Sequence, residues 1–261
     1  MNKLHIPPLD EQAAKTALEH QKILAKPPLA LGKLEPVAIQ IAAMTGNPAP
    51  RLKDKAVVLF AADHHIADHG LSLTSTDVTY IQTRNFLQGG GTINAFTRNA
   101  GARLSVVDVG VNYDFGDLPG LVKRKVMHGA NDFSRGPAMT REQALECLQV
   151  GIDMAREEKA RGLDIVAAGE MGIGNTTPSS AIVAVLTGTP VETVTGRGSG
   201  VKGEVIRKKI ELIEQGIALN NPDPSDAIDV LAKVGGPEIG AMAGLMLGAA
   251  SLRVPIVIAS V

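Results

Sequence analysis

Cysteine and aromatic residues are scarce in this 261-residue chain. Cys147 is the only cysteine, so no disulfide can form within the chain, and this usage favours a reducing cytoplasm. Its place inside a helical pattern predicts a buried, inert thiol rather than a nucleophile. With five phenylalanines, two tyrosines and no tryptophan, the core has to be built mainly from aliphatic side chains.

Excess charge of one sign and long apolar runs are also missing. The chain has 26 basic and 27 acidic residues, which removes the electrostatic argument for a nucleic acid or an anionic membrane as a partner. No stretch approaches the roughly 20 apolar residues of a membrane span. The residues from Met1 to Pro8 lack an apolar run long enough for a signal peptide. We therefore expect a soluble protein of the cytoplasm.

Short aliphatic runs predict the strands of an α/β fold, at residues 56–61, 104–109, 165–168 and 255–258. Continuous aliphatic runs are typical of parallel strands that helices cover on both faces. Helical patterns lie between them, and one opens with Thr140 and Gln143 in capping-box spacing. This alternation favours a largely parallel sheet with flanking helices.

The first 50 residues do not share this alternation. Leu9–Leu24 reads as an amphipathic helix, Pro27 and Pro28 end it, and Val37–Met44 reads as a second helix. We predict a helical arm or small domain over residues 1–50 and an α/β core over residues 51–261.

The segment GEMGIGNTTP at 169–178 is the most informative one in the chain. It follows a predicted strand and precedes a helical pattern, an arrangement that holds ligands at the carboxyl ends of α/β sheets. Glycines let the backbone approach a ligand, and a helix start offers unpaired N–H groups to an anion. Glu170 is therefore a candidate catalytic carboxylate, and Gly174, Asn175 and Thr176 are candidates for binding phosphate or sugar. The alternative is a structural turn in which Glu170 caps the helix.

Acidic and histidine residues cluster after the first predicted strand, in the segment ADHHIADHG at 62–70. Such a cluster suggests a metal site, but its spacing matches no common zinc pattern and no cysteine is near it. We expect no metal. Asp63 and His64 are instead predicted to organise the turn through hydrogen bonds.

Two other segments predict contacts with a small molecule. Gln82 lies about two turns into a predicted helix, where its amide suits an uncharged heterocycle or phenol, although an ordinary exposed glutamine fits equally well. The segment TGRGSG at 195–200 precedes several cations, so Arg197, Gly198 and Ser199 are candidate phosphate ligands. It is not a Walker A sequence, and no dinucleotide-binding fingerprint is present, so we expect no nicotinamide cofactor.

Taken together, these segments resemble one family, the nicotinate-nucleotide:dimethylbenzimidazole phosphoribosyltransferases of cobamide lower-ligand activation. The resemblance rests on the 169–178 segment and on others in order along the chain: ADH at 62–64, VDVG at 107–110, GPAMT at 136–140, GRGSG at 196–200 and GGPE at 235–238. It implies a Rossmann-like sheet, a small helical domain and a homodimer without a cofactor. It also implies that phosphoribose moves from nicotinate mononucleotide to a nitrogen of dimethylbenzimidazole, giving α-ribazole phosphate and nicotinate.

The resemblance also implies roles for individual residues. It places four residues in the pocket for the lower-ligand base: Thr74, Gln82, Glu170 and Gly172. Lys209 falls beside the sugar phosphate, with Lys208 as a near alternative. Glu170 would position the base and assist in handling its proton.

The chain departs from the family pattern at two places. The family usually has Asp-His-Gly where this chain has Asp63-His64-His65, and serine is common where Thr74 stands. The family also continues past the strand predicted at 255–258, with a catalytic glutamate in a Gly-Glu-Gly setting, so we expect the 261-residue chain alone to be a poor catalyst. Alternatives are a relative that activates a phenolic or purine lower ligand within a heteromer, or a silent subunit that binds only ligand or partner.

Overall fold

The fold is that of a computed structural model, which describes residues 4–198, 200–201 and 203–258. The strands are β1 Lys55–Ala62, β2 Ala102–Gly110, β3 Leu121–Lys123, β4 Ile165–Met171 and β5 Ile256–Val257. The α-helices are α1 Glu11–Ile23, α2 Leu34–Thr45, α3 Asp77–Leu87, α4 Thr92–Ala100, α5 Arg141–Ala160, α6 Thr176–Thr187, α7 Val191–Val194, α8 Glu204–Asn220, α9 Ala227–Val234 and α10 Pro237–Ser251, and one 3₁₀-helix spans His65–His69.

The five strands form one parallel sheet in the order β3-β2-β1-β4-β5. Parallel neighbours need crossover connections. Helices lie in each connection between successive strands except the one from β2 to β3, which residues 111–120 form without a helix. The predicted α/β fold with a Rossmann-like, largely parallel sheet is therefore confirmed. Strand β4 is longer than the aliphatic run at 165–168 indicated, so Glu170 lies within the strand, paired with Phe60 of β1, and the turn begins at Gly172.

The two faces of β1 pack against different helices. Val58 and Phe60 belong to a buried cluster with α5 and α10, whereas Leu59 contacts side chains of α3 and α4 on the opposite face. Because successive side chains of a strand point to opposite faces, this alternation encloses β1 completely. Its aliphatic sequence follows from that burial.

Glycines let α5 and α10 pack closely. A Cβ on Gly151 would lie 1.9 Å from the carbonyl oxygen of Ala241, and one on Gly244 would lie 2.0 Å from that of Leu148. Only a residue without a side chain fits at these two points. The predicted capping box is also present at the start of α5, where Thr140 Oγ1 accepts a hydrogen bond from the Gln143 N–H.

Both helices predicted within the first 50 residues are present, as α1 and α2. They pack on each other, and Arg253 joins them to the core by donating hydrogen bonds to the carbonyl oxygens of Pro8 and Met44. A boundary of an independent domain at residue 50 stays a prediction. No helix among the described residues is both long and apolar enough to span a membrane.

Candidate active site

The carboxylate of Glu170 lies at the carboxyl end of β4, next to the centre of the sheet. Its Oε2 accepts a short hydrogen bond from Nδ2 of Asn175, the residue that precedes α6. Glu170 therefore contacts the side chain of the cap residue, which is not the helix-capping contact considered above. Burial and the Glu238 carboxylate raise the pKa of Glu170, and the Asn175 amide and His64 oppose this rise.

The backbone after Glu170 forms a tight turn over the end of β1. A Cβ on Gly172 would lie 2.6 Å from the carbonyl oxygen of Ala62, so this position requires glycine. Gly174 has φ of +93°, and its Cβ would clash with Ala67. Helix α3 holds the turn from the other side, because the Ile173 N–H donates a 3.1 Å hydrogen bond to Thr79 Oγ1.

His64 and Glu238 form a buried pair beside this turn. His64 Nε2 lies 2.8 Å from Glu238 Oε1, and the two residues are 2% and 0% exposed. Burial opposes a charge on His64, but the carboxylates of Glu238, Asp63 and Glu170 together raise its pKa. Glu238 lies in the first turn of α10, where the helix dipole favours a negative charge.

The remaining polar residues after β1 organise loops. Asp63 Oδ2 accepts a 2.8 Å hydrogen bond from the Asn112 N–H, which ties the end of β1 to the loop after β2. His65 pairs with Asp68 nearby, and His69 Nε2 lies 2.8 Å from Asp132 Oδ2. In the described part of the chain, no group of three or more His, Cys, Asp or Glu side chains is arranged to hold a metal ion.

Lys209 is a buried cation at the start of α6. It is 1% exposed, and its Nζ donates a 2.7 Å hydrogen bond to Oγ1 of Thr176, the first residue of that helix. Among the described residues, no carboxylate lies within ion-pair distance of this ammonium, and burial lowers the pKa of Lys209 to about 8. Lys208, in contrast, is exposed and donates to the carbonyl oxygen of His69.

A cavity of about 400 Å³ opens beside Thr176. It is lined by α6 and by the turn that follows α7, with Thr176, Ser179, Ser180, Val183, Val194, Gly196 and Gly198. A Cβ on Gly198 would lie 2.9 Å from Thr176 Oγ1, so the turn at 195–200 touches the start of α6. Arg197 is exposed in this turn, and Ser199 lies outside the described residues.

The structure gives Thr74 and Gln82 no described hydrogen bond to Glu170. Thr74 is exposed and bonds to Ser72, while Gln82 is half-buried and its Oε1 accepts a hydrogen bond from Asn85. Gln82 does lie on α3, one turn beyond Thr79, the residue that contacts the Glu170 turn. Their roles in a base pocket therefore stay predictions.

Comparison with known proteins identifies the family. A family model described as a phosphoribosyltransferase matches residues 6–260. The chain belongs to this phosphoribosyltransferase family. The resemblance carried by the 169–178 segment and its companions is thus confirmed.

Similar proteins cover nearly the whole chain. Two relatives are named nicotinate-nucleotide–dimethylbenzimidazole phosphoribosyltransferase. The one from Geobacter sulfurreducens is 51% identical over 96% of this chain and 71% of its own length, and the one from Roseiflexus sp. is 52% identical over 97% and 72%. The crystal structure of CobT from Thermus thermophilus superposes with a TM-score of 0.90 at 42% identity, over 95% of this chain and 74% of that one. The chain therefore spans about seven tenths of the length of these family members.

Two residues of the site were missed by sequence reasoning. Glu238 occurs in the GGPE segment that carries the resemblance, but only the fold brings it to His64, 174 positions earlier in the chain. Thr79 lies in a predicted helix, and only the fold shows that its hydroxyl accepts a hydrogen bond from the Ile173 N–H. The fully buried positions of both are the signal that the structure adds.

Proposed function

We propose that this chain transfers phosphoribose from nicotinate mononucleotide to dimethylbenzimidazole or a related base, giving α-ribazole phosphate and nicotinate in cobalamin biosynthesis. Family membership and the names of the relatives support the reaction and both substrates. The observation that carries the proposal is that one short turn separates a carboxylate from a buried ammonium. Glu170 lies at its start, and Thr176, which holds Lys209, lies at its end.

The phosphate of the nucleotide is assigned to the start of α6. An anion there can bind the ammonium of Lys209 and the backbone N–H of Thr176 together. The next two residues offer it no donor, because the Thr177 N–H donates to the carbonyl oxygen of Gly174 and Pro178 has no N–H. Asn175 and Thr176 begin the helix, and the adjacent cavity with Gly198 gives access. Gly174, Arg197 and Ser199 are proposed to complete the sugar-phosphate site.

The base is assigned to the Glu170 side of the turn. A benzimidazole carries one N–H. The Glu170 carboxylate accepts a hydrogen bond from this group and then its proton, while the other ring nitrogen faces the ribose. The bond from ribose C1 to nicotinate breaks with positive charge developing on the sugar, and a new bond forms from C1 to the ring nitrogen. Burial and Glu238 raise the pKa of Glu170, which brings it closer to neutral pH, where a carboxyl group exchanges protons efficiently.

Other properties of the protein are also part of the proposal. Thr74, Gln82 and Gly172 complete the base pocket, and no cofactor takes part. A homodimer, or a heteromer with another family member, and a cytoplasmic location are proposed from the resemblance.

A substrate panel tests the function. The protein is incubated with nicotinate mononucleotide and, in separate reactions, dimethylbenzimidazole, a phenol and adenine, while nicotinate release and the ribosylated product are followed. We expect release to require the benzimidazole, and the measured rates also test the expectation that the chain alone is a poor catalyst. Preference for the phenol or adenine would correct the substrate class, and binding of benzimidazole without release from any mixture would contradict the proposed activity of this chain.

A further inference from the structure

The His64–Glu238 pair is buried and tightly packed on the side of Gly236. A Cβ on Gly236 would lie 2.4 Å from His64 Cε1 and 2.9 Å from Glu238 Oε2, so the backbone leaves no space there. Glu238 Oε2 is buried and has no hydrogen-bond partner among the described residues. An acid held in this way costs stability, because a buried carboxylate oxygen without a partner loses its hydration. A structural hydrogen bond alone does not explain that cost.

The pair lies beside the turn that follows Glu170. The position that a Cβ on Gly172 would take lies 3.4 Å from His64 Nε2 and 3.5 Å from the Cβ of Asn175. Asn175 in turn donates its side-chain hydrogen bond to Glu170. His64 therefore packs next to the turn that orients Glu170, and the nitrogen nearest to that turn, Nε2, is the one that pairs with Glu238.

We propose that the buried His64–Glu238 pair is a positioning pair for Glu170: it fixes the turn that aims this carboxylate and sets the charge that the carboxylate experiences. The inference rests on the proposed function only in that Glu170 meets the base. Neither His64 nor Glu238 touches substrate in this proposal.

The charged groups around the pair come from several elements. Glu170 on β4 interacts with Glu238 on α10 and with His64, and His64 also interacts with Asp63 at the end of β1. On the far side, Glu238 faces the buried thiol of Cys147 on α5, whose pKa burial raises. Three carboxyl groups, those of Glu238, Asp63 and Glu170, thus interact with the single imidazole of His64.

Glu238→Gln is the decisive substitution, because it removes the carboxylate charge while keeping the shape of the side chain. Glu238 raises the pKa of Glu170 more than His64 lowers it. The pKa of Glu170 therefore falls in this variant whether His64 keeps its proton or loses it. The double variant His64→Gln, Glu238→Gln, in which two amides can still form a hydrogen bond, gives the same direction.

The measurement is a carboxyl-carbon NMR titration of Glu170 in the full chain, with the resonance assigned by its disappearance in Glu170→Gln. We expect the titration midpoint to fall in both variants. Asp132→Asn is the matched control, because it removes the acid from the His69–Asp132 pair, which has the same 2.8 Å separation but lies away from Glu170. A midpoint unchanged from that of the parent protein in the two Glu238 variants overturns the proposal.

A second measurement needs no substitution in the pair. Because the Glu170 carboxylate contributes to raising the pKa of His64, the imidazole must titrate at lower pH in Glu170→Gln than in the parent. An unchanged His64 titration contradicts the coupling, even if the Glu238 variants fail to fold.

Benzimidazole affinity as a function of pH separates this inference from the proposed function. Protonation of the benzimidazole itself contributes one acidic limb to that profile in every variant. If Glu170 receives the base, Glu170→Gln removes the additional contribution of the enzyme, and Glu238→Gln moves that contribution to lower pH. A profile that Glu170→Gln leaves intact contradicts the assignment of the base to Glu170. The NMR titrations still decide the role of the pair in that case.

Discussion

Lys209 Nζ lies 2.7 Å from Thr176 Oγ1, so a buried ammonium points at the first residue of α6. The start of a helix carries a partial positive charge, and a cation there is unfavourable unless an anion joins it. Burial without a carboxylate partner adds to the cost, as the lowered pKa of Lys209 shows. A phosphate at this position would offset both penalties at once, which supports the proposed anion site.

Lys209→Ala is expected to weaken nicotinate mononucleotide binding by about tenfold to a hundredfold, because a charge-assisted hydrogen bond contributes roughly 1.5–3 kcal/mol. Benzimidazole affinity should change little, since the base is assigned to the Glu170 side of the turn. Isothermal titration calorimetry with each ligand makes the comparison. Lys208→Ala is the matched control, because this neighbouring lysine is exposed and bonds to the His69 carbonyl oxygen. Equal losses for both ligands, or an equal loss in Lys208→Ala, would contradict the assignment.

Replacing Lys209 by methionine should stabilise the ligand-free protein at pH 7. The folded-state pKa of about 8 lies below the ordinary value of 10.5. Between these values the unfolded chain binds the extra proton, so stability of the parent rises with pH across that window. The penalty is fully present below pH 8, and we expect Lys209→Met to raise the free energy of unfolding there by roughly 1–3 kcal/mol.

Urea unfolding at a series of pH values between 7 and 10.5 checks this prediction. The difference between the variant and the parent should shrink steadily as the pH approaches 10.5. A constant difference across the series would mean that packing of the methionine, rather than removal of the charge, changes the stability.

The sequence predicts four of the five described strands and the Glu170 segment, because both kinds of signal are local; β3, with three residues, is too short to show as an aliphatic run. Aliphatic runs mark strands buried on both faces, and a glycine-rich turn between a strand and a helix is recognisable within ten residues or so. The resemblance favours Lys209 and keeps Lys208 as an alternative. The structure buries Lys209 with Leu212, Ile213 and Gly216 on one face of α8, and its contact with phosphate stays a prediction. The pairing of His64 with Glu238 could not be predicted from the sequence, because it joins the end of a strand to the start of a helix 174 positions further along the chain.

Glu170→Gln should lower turnover by about 10²–10⁴-fold, the usual cost of losing one positioned acid–base group. Stability should change little, because glutamine keeps an oxygen to accept the hydrogen bond from Asn175. Steady-state nicotinate release and thermal unfolding of the same preparations provide the two measurements. Near-normal rates with dimethylbenzimidazole would reduce Glu170 to a structural partner of Asn175.

Gly172→Ala tests whether the turn itself orients Glu170. The new Cβ would lie 2.6 Å from the carbonyl oxygen of Ala62, so the turn has to move away from β1. Relieving an overlap of this kind typically costs about 1–3 kcal/mol, and the shift carries Asn175 and the Glu170 carboxylate with it.

Gly169→Ala is the matched control for this substitution. It lies one residue before Glu170, but its Cβ would meet Ile93, Leu59 and Val57 at ordinary distances of 3.6–3.8 Å. We expect Gly172→Ala to lower benzimidazole affinity at least tenfold, an effect of about 1.4 kcal/mol, while Gly169→Ala keeps the affinity of the parent. Calorimetry on both variants decides the matter. Equal affinities in the two variants would show that the close approach of Gly172 to Ala62 does not control the placement of Glu170.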